Sequence, residues 1–454
     1  MTDTIALLSH TSPTAIVAYR SGVAVTVRQF LDEARQVAQR LPKGKHVLNV
    51  CADRYQFTVG LAACLMSERV SLLPSTHTPQ VIAQLAAFAP DAFCLTDDKR
   101  CDIDLARAYY PDLARPAPTL AAARFEVPRI AASQLAAIVF TSGSTGTPVP
   151  YKKTWGLLAR CVQNGAPQLG LSDGRSHVLV GTVPGQHMYG FESTVLLALL
   201  GGNALSAERP FYPADVAAAI QRVPRPRVLV TTPIHLRTLL SSEVEFPPLD
   251  LVMSATAPLS RDLAREVEEK YRAPLLEIYG STETGQIAMR RTAETEAWRL
   301  WPGVRLSVSN DQVVAQGGHI EQLTPLCDVI EITGEKEFLL HGRSVDLVNV
   351  AGKRSSFGYL NAQLNAIPGV IDGAFFLREE MSGSTGVTRL GAVVVAPGLT
   401  VAGLTEQLRQ LIDPVFLPRP LLIVDELPRN ATGKLPQQAL QGFADEQLRI
   451  SESQ

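Results

Sequence analysis

The sequence predicts an α/β fold: a large N-terminal domain of sheets covered by helices, residues 1–343, and a small mobile α+β C-terminal lid domain, residues 344–454. Three observations carry that expectation. Short Val/Ile/Leu runs ("AAIVFT", "HVLVGT", "RVLVTT", "DLVMSA", "LLEIYG") alternate with helical or Gly-rich stretches, as strands buried on both faces do. The 454 residues suffice for about two to four cores. Past about Arg343 the pattern changes to mixed strands ("GAFFLR", "LGAVVVAPG", "LLIVDELP") and two amphipathic segments, Leu360–Ile367 and Val401–Ile412.

The elements follow in order. Thr26 with Gln29 forms a capping box before Phe30, Leu31, Ala34, Val37, Ala38 and Leu41, which recur on one helical face. The short apolar run "HVLNVC" comes next, then Thr78 and Pro79 as N-cap and first position of a helix bearing Val81, Ile82, Leu85 and Phe88. The five strand-like runs occupy the middle of the chain, and "HGRSVDLVNVAGKR" joins the domains. The tail "ADEQLRISESQ" reads as a short, fraying helix.

Composition excludes several classes. Lys+Arg number 42 against 44 Asp+Glu, so no basic footprint for nucleic acid or an anionic membrane is present. "TVLLALLGGNAL" is too short and Gly-interrupted to span a bilayer, and the start lacks the basic and apolar regions of a signal peptide. Six scattered cysteines without a C-x-x-C pair suggest reduced core thiols in a cytoplasmic protein. The eight His have no zinc-like spacing, so a divalent ion is expected to arrive with a phosphate ligand.

"SGSTG" appears twice, at Ser142–Gly146 and Ser382–Gly386. The first follows the run "AAIVF", so its amides and hydroxyls can project from a strand end toward phosphate oxygens, or simply form a turn. It is not a Walker loop, since no G-K-[ST] ends it and no helix signal follows at once. The second lies between "REEM" and "VTRL", the setting of an exposed hairpin loop.

"SATAPLS", "YGSTETG", "GRSVDLVNVAGKR" and "LPRNATGKLP" follow the first copy in that order. Together they resemble the adenylate-forming superfamily: acyl- and aryl-CoA synthetases, luciferases and nonribosomal adenylation domains. That resemblance implies ATP and Mg²⁺ as cofactors and an acid–thiol ligase reaction. It places Thr141, Ser142, Gly143, Ser144, Thr145 and Gly146 over the β- and γ-phosphates. Thr256, Ala257 and Pro258 would line the adenine, with Tyr279 stacking on it beside Gly280 and Ser281. Thr282 would contact the α-phosphate and Glu283 would hold Mg²⁺. Asp328 would grip the ribose hydroxyls, supported by Arg343. Gly352 would flank the pantetheine tunnel, and Lys434 would bridge the carboxylate and the α-phosphate, a task suited to a point ammonium on a flexible stem.

The chain departs from the pattern at two points. The loop lysine position is Val149, so Lys152 or Lys153 is the candidate replacement, and the hinge position after "GR" is Val345 beside Asp346. The variant "TSGSTG-x-P-x-P-x-x-K-x-W" resembles stand-alone ligases of bacterial aryl polyene and xanthomonadin-type pigment pathways. Those load an aryl acid onto an acyl carrier protein. His187, in "PGQHMYGFES", falls where the family places a residue near the acyl pocket. Met188 stands where amino-acid-activating domains carry an Asp, and an ammonium buried there would lack a partner.

The expected reaction is therefore adenylation of an aryl carboxylic acid, a hydroxybenzoate foremost, then transfer to a carrier-protein thiol or to CoA. Rival readings are an adenylate-binding protein without turnover, a luciferase-like oxidase and an amino-acid adenylation module. Ser142–Gly146 is expected to cradle pyrophosphate, whereas Ser384→Ala in the second copy should leave turnover intact.

Overall fold

The computed structural model describes residues 3–74, 76–114, 125–142, 148–309, 312–343, 347–350, 353–379, 388–430, 433 and 435–452. Five of the runs read as strands are strands: Leu135–Ser142, Val178–Gly181, Arg227–Thr231, Leu251–Ser254 and Leu275–Ser281. They divide between two sheets. A six-stranded sheet runs Pro148–Thr154, Leu135–Ser142, Val70–Leu73, His46–Asn49, Phe93–Thr96, Ala106–Tyr109. An eleven-stranded sheet has at its centre Leu275–Ser281, Leu251–Ser254, Arg227–Thr231, Val178–Gly181 and Ala204–Ser206, all parallel.

Helices fill the layer between the sheets. Arg54–Met66 is capped by Asp53, whose side chain accepts from the Gln56 amide, and eleven of its thirteen residues are buried. A helix apolar all round belongs between two layers rather than on a surface. One apolar cluster accordingly joins Val47 and Phe93 of the first sheet to Leu179 and Val230 of the second. The Thr26–Gln29 capping box is present on helix Val27–Arg40, and Thr78 caps Pro79–Phe88 as expected.

The small C-terminal domain has a separate core. Strands Asp372–Glu379 and Thr388–Val395 are antiparallel, Leu421–Ile423 lies parallel to the second, and helices Phe357–Asn365 and Val401–Leu411 pack on them. The second "SGSTG" lies outside the described residues; the strands flanking it pair antiparallel, Glu379 opposite Thr388. The tail differs from expectation. It is a helix of 16 residues, Gln437–Glu452, which begins upstream of the quoted segment and buries Leu440 and Ala444 against the sheet.

No helix among the described residues is long and apolar enough to cross a membrane. Cys51, Cys64, Cys94 and Cys161 are core thiols, but Cys327 is exposed.

Candidate active site

Ligands of open α/β sheets bind where the loops leave the carboxyl ends of parallel strands. Ser254 pairs in register with Glu277 and with Thr231, so the segments beginning at Thr232, Ala255 and Ile278 run on side by side where the parallel pairing ends, the third pairing onward with Gly285–Arg290. In the second of these, Thr256 has φ +80°, a left-handed conformation that costs a non-glycine residue about 1–3 kcal/mol. Such strain, on the loop expected to hold adenine, persists only where the surroundings impose it. Ala257 beside it is half-buried and Pro258 exposed.

Tyr279 and Asp328 lie 49 residues apart, yet the Tyr279 hydroxyl donates to Asp328 Oδ2 at 2.6 Å. Packing against Trp298 and Phe338, with centroids at 5.6 and 5.5 Å, fixes the Tyr279 ring. Asp328 opens the strand Asp328–Ile332 and stands directly opposite Arg343 in the ladder.

Thr282 and Glu283 occupy the tip of a tight hairpin turn between Leu275–Ser281 and Gly285–Arg290, with Ser281 opposite Gly285. The Thr284 hydroxyl accepts from the Ser281 amide at 3.1 Å, and Ser281 Oγ accepts from the Thr284 amide at 3.2 Å. The turn needs its first glycine: a Cβ on Gly280 would fall 2.2 Å from the Gly285 carbonyl oxygen. Gly280→Ala is therefore expected to spread the hairpin and weaken AMP binding at least tenfold in calorimetry. Gly442→Ala, where a Cβ meets nothing within 4 Å on a helix, should bind normally and gain about 0.5–1 kcal/mol of stability.

The first "SGSTG" connects two antiparallel strands, Leu135–Ser142 and Pro148–Thr154; Gly143, Ser144, Thr145 and Gly146 lie outside the described residues. Thr141 and Tyr151 are diagonal neighbours across this ladder. The Tyr151 phenol faces Glu283, and burial together with that carboxylate raises its pKa. Thr141 contributes a hydroxyl to the same place. Tyr151, which sequence reasoning passed over, thus links Thr141, at the start of the first "SGSTG" loop, to the turn that carries Glu283.

Residues 8–318 match the AMP-binding enzyme family. The chain belongs to that family. It is 34% identical to a 4-coumarate–CoA ligase of Rhodobacter capsulatus over 62% of this chain and 68% of that one. It is 25% identical to a 4-chlorobenzoate–CoA ligase of an Arthrobacter species over 70% and 67% of the two chains. Its fold is that of o-succinylbenzoate–CoA synthetase from Bacillus subtilis, solved with ATP and magnesium, at TM-score 0.79, 18% identity and 95% and 97% coverage. This AMP-binding enzyme is accordingly an adenylate-forming acid–thiol ligase whose cofactors are ATP and Mg²⁺.

The residues present fit both cofactors. Mg²⁺ is held by one or two carboxylates plus substrate phosphates, and Glu283 offers one carboxylate beside the hydroxyls of Thr141 and Tyr151. The Tyr279–Asp328 pair offers a ring and a carboxylate for a nucleoside.

The two lysines considered as replacements for the missing loop cation point to opposite faces of their strand. Lys152 is exposed, and Lys153 is 6% exposed with its Nζ donating to the Glu283 carbonyl oxygen at 2.9 Å. The reason is strand alternation, which turns Lys152 to one face and Lys153 to the other. Lys153 faces Glu192 in the interior, where burial pushes that carboxyl up to about 7 against the pull of the ammonium.

His187, expected near the acyl pocket, is followed by helix Met188–Gly190 and the π-helical turn Phe191–Leu196 that continues it. π-Turns are frequent at functional sites. His187 precedes them half-buried, with its carbonyl accepting from the Phe191 amide at 2.7 Å; Met188 packs against the main core. Arg54, unrecognised in the sequence, ties two strand ends together. Buried, it donates to the carbonyls of Gly181, Val183, Ser206 and Glu208 at 2.7–3.3 Å, and burial pulls its pKa down to about 10.

Lys434 and Gly352 lie outside the described residues, as does Val345. Gly433, the neighbour of Lys434, is buried with φ +75°, and a Cβ there would fall 2.8 Å from Ile234 Cγ2 and 3.6 Å from Thr232 Oγ1. The loop of the small domain thus rests on the start of helix Pro233–Ser241 in the large one. Arg429 anchors it: Nε and Nη2 grip Asp372 at 2.6 and 2.7 Å, and Nη1 donates to the Gly433 carbonyl at 2.9 Å. A bidentate charged pair of this kind fixes direction as well as distance.

Proposed function

We propose that this enzyme activates an aryl carboxylic acid, with a hydroxybenzoate the leading candidate, and passes the acyl group to the phosphopantetheine thiol of an acyl carrier protein. The observation that carries the nucleotide half is the Tyr279–Asp328 hydrogen bond at the carboxyl ends of the parallel strands. The aryl half is supported by Met188, an apolar side chain that offers an α-ammonium no counter-charge, and by relatives named for 4-coumarate and 4-chlorobenzoate.

In this reading a substrate carboxylate oxygen attacks the α-phosphorus of ATP, and the bond to pyrophosphate breaks. The thiolate then attacks the acyl carbonyl, and AMP departs. Thr141 and Ser142–Gly146 steady the β- and γ-phosphates, Thr282 the α-phosphate, and Glu283 holds Mg²⁺, which neutralises charge on the phosphoryl oxygens. Thr256, Ala257, Pro258, Tyr279, Gly280 and Ser281 form the adenine wall, and Asp328 with Arg343 holds the ribose. His187 borders the acid, Gly352 the pantetheine, and Lys434 bridges carboxylate and phosphate. The division of labour falls between residues 1–343 and 344–454, and the reaction runs in the cytoplasm.

Free CoA as acceptor is the second reading, favoured by the relatives' names as CoA ligases. Supplying the acyl-adenylate and each thiol separately decides between them. The proposal expects acyl transfer to holo-carrier protein at least tenfold faster, by kcat/KM, than to CoA; the reverse order supports the second reading.

A further inference from the structure

A buried charge is costly unless it is well partnered, and well-packed apolar residues of similar volume serve stability as well or better. The Lys153 ammonium buried under the acidic turn therefore calls for another reason. Val149, Tyr151 and Lys153 share one face of their strand and sink progressively, from 41% exposed at Val149 to 6% at Lys153. The cation missing at Val149 thus reappears four residues later, beneath the turn instead of above it.

There it meets a specific target. Lys153 Nζ donates to the Glu283 carbonyl at 2.9 Å, and His319 Nε2 donates to the next carbonyl, Thr284, at 3.0 Å. Glu192 lies directly below: a Cβ on Gly285 would sit 2.8 Å from its Oε1, and the Cys161 thiol donates to that same oxygen at 3.3 Å. Gln286, the next residue of the hairpin, donates to Ser193 Oγ at 2.7 Å. Two consecutive carbonyls of the turn are thus gripped from inside the fold by side chains from distant segments.

We propose that Lys153 is a positioning residue for Glu283: its ammonium, balanced by Glu192, fixes the Glu283 carbonyl from beneath and so sets the aim of the carboxylate toward the metal–nucleotide. This rests on the reading of Glu283 as the Mg²⁺ ligand. Lys153 itself touches no nucleotide. Groups that orient a metal ligand typically change metal affinity by about 10–100-fold when removed.

The test reads binding, not turnover. Lys153→Met alone would strand Glu192 in the core, so the informative variant is Lys153→Met/Glu192→Gln, compared with wild type and Glu283→Gln. Calorimetry measures Kd for AMP, and for α,β-methylene-ATP over a Mg²⁺ titration; thermal unfolding reports the fold. The expected result is a double variant with near wild-type Tm and AMP affinity but with Mg²⁺–analogue affinity weakened about 10–100-fold, as in Glu283→Gln. Wild-type Mg²⁺–analogue binding in the double variant, with Glu283→Gln impaired, overturns the positioning role alone. Equal weakening for AMP and the Mg²⁺–analogue, or a double variant that does not fold, makes the pair structural and also overturns it. Undiminished Mg²⁺–analogue binding in Glu283→Gln removes both this inference and the metal-ligand reading beneath it.

Discussion

Glu283→Gln lowers ATP–pyrophosphate exchange by on the order of 10²-fold or more, and added Mg²⁺ restores part of the loss. The magnitude is that of removing one preorganised electrostatic group from a phosphoryl-transfer site. Partial rescue is expected because the amide keeps an oxygen and the shape of the turn while losing the charge that draws the ion. The fold should survive: the turn is braced by the Ser281–Thr284 hydrogen bonds and held through the backbone carbonyls of Glu283 and Thr284, none of which uses the carboxylate. Exchange measured across a Mg²⁺ series checks this. An unchanged half-saturating Mg²⁺ with normal exchange would assign the metal to another group.

Lys434→Ala slows acyl-adenylate formation by roughly 10²-fold or more while leaving thioester formation from supplied acyl-adenylate within a few-fold of wild type. The described residues before it are firmly held. Arg429 ties the loop to Asp372 and to the Gly433 carbonyl, and Gly433 lies buried against Ile234 and Thr232 at the carboxyl end of the central strands. Lys434→Arg should rescue poorly, because a planar fork does not replace a point ammonium. Rapid-quench single-turnover assays of the two half-reactions separate the effects; equal losses in both would mean that the loop acts in both steps or supports the fold.

Much of this was legible in the sequence, for identifiable reasons. Strands such as Arg227–Thr231 are continuous apolar runs because both faces are covered, and the Thr26–Gln29 box is a local hydrogen-bond pattern, so neither needs tertiary information. The ordered motifs likewise named Tyr279 and Asp328 before their 2.6 Å contact was seen. The missed residues act through distance. Arg54 looks like one more arginine until four carbonyls from two strand ends converge on it. Lys153 looks like a loop cation until strand alternation turns it inward toward Glu192, 39 positions on in a π-turn that no periodicity announces. Asp372 and Arg429 lie 57 residues apart and become partners only when the small sheet forms.

The most direct measurement is ATP–pyrophosphate exchange across hydroxybenzoates, cinnamates, fatty acids and amino acids, with Lys434→Ala as control. Exchange is expected with an aryl acid, strongest for a hydroxybenzoate, with a loss of roughly 10²-fold or more in the control. Exchange driven by an amino acid, or exchange that persists in Lys434→Ala, would contradict the proposed reaction.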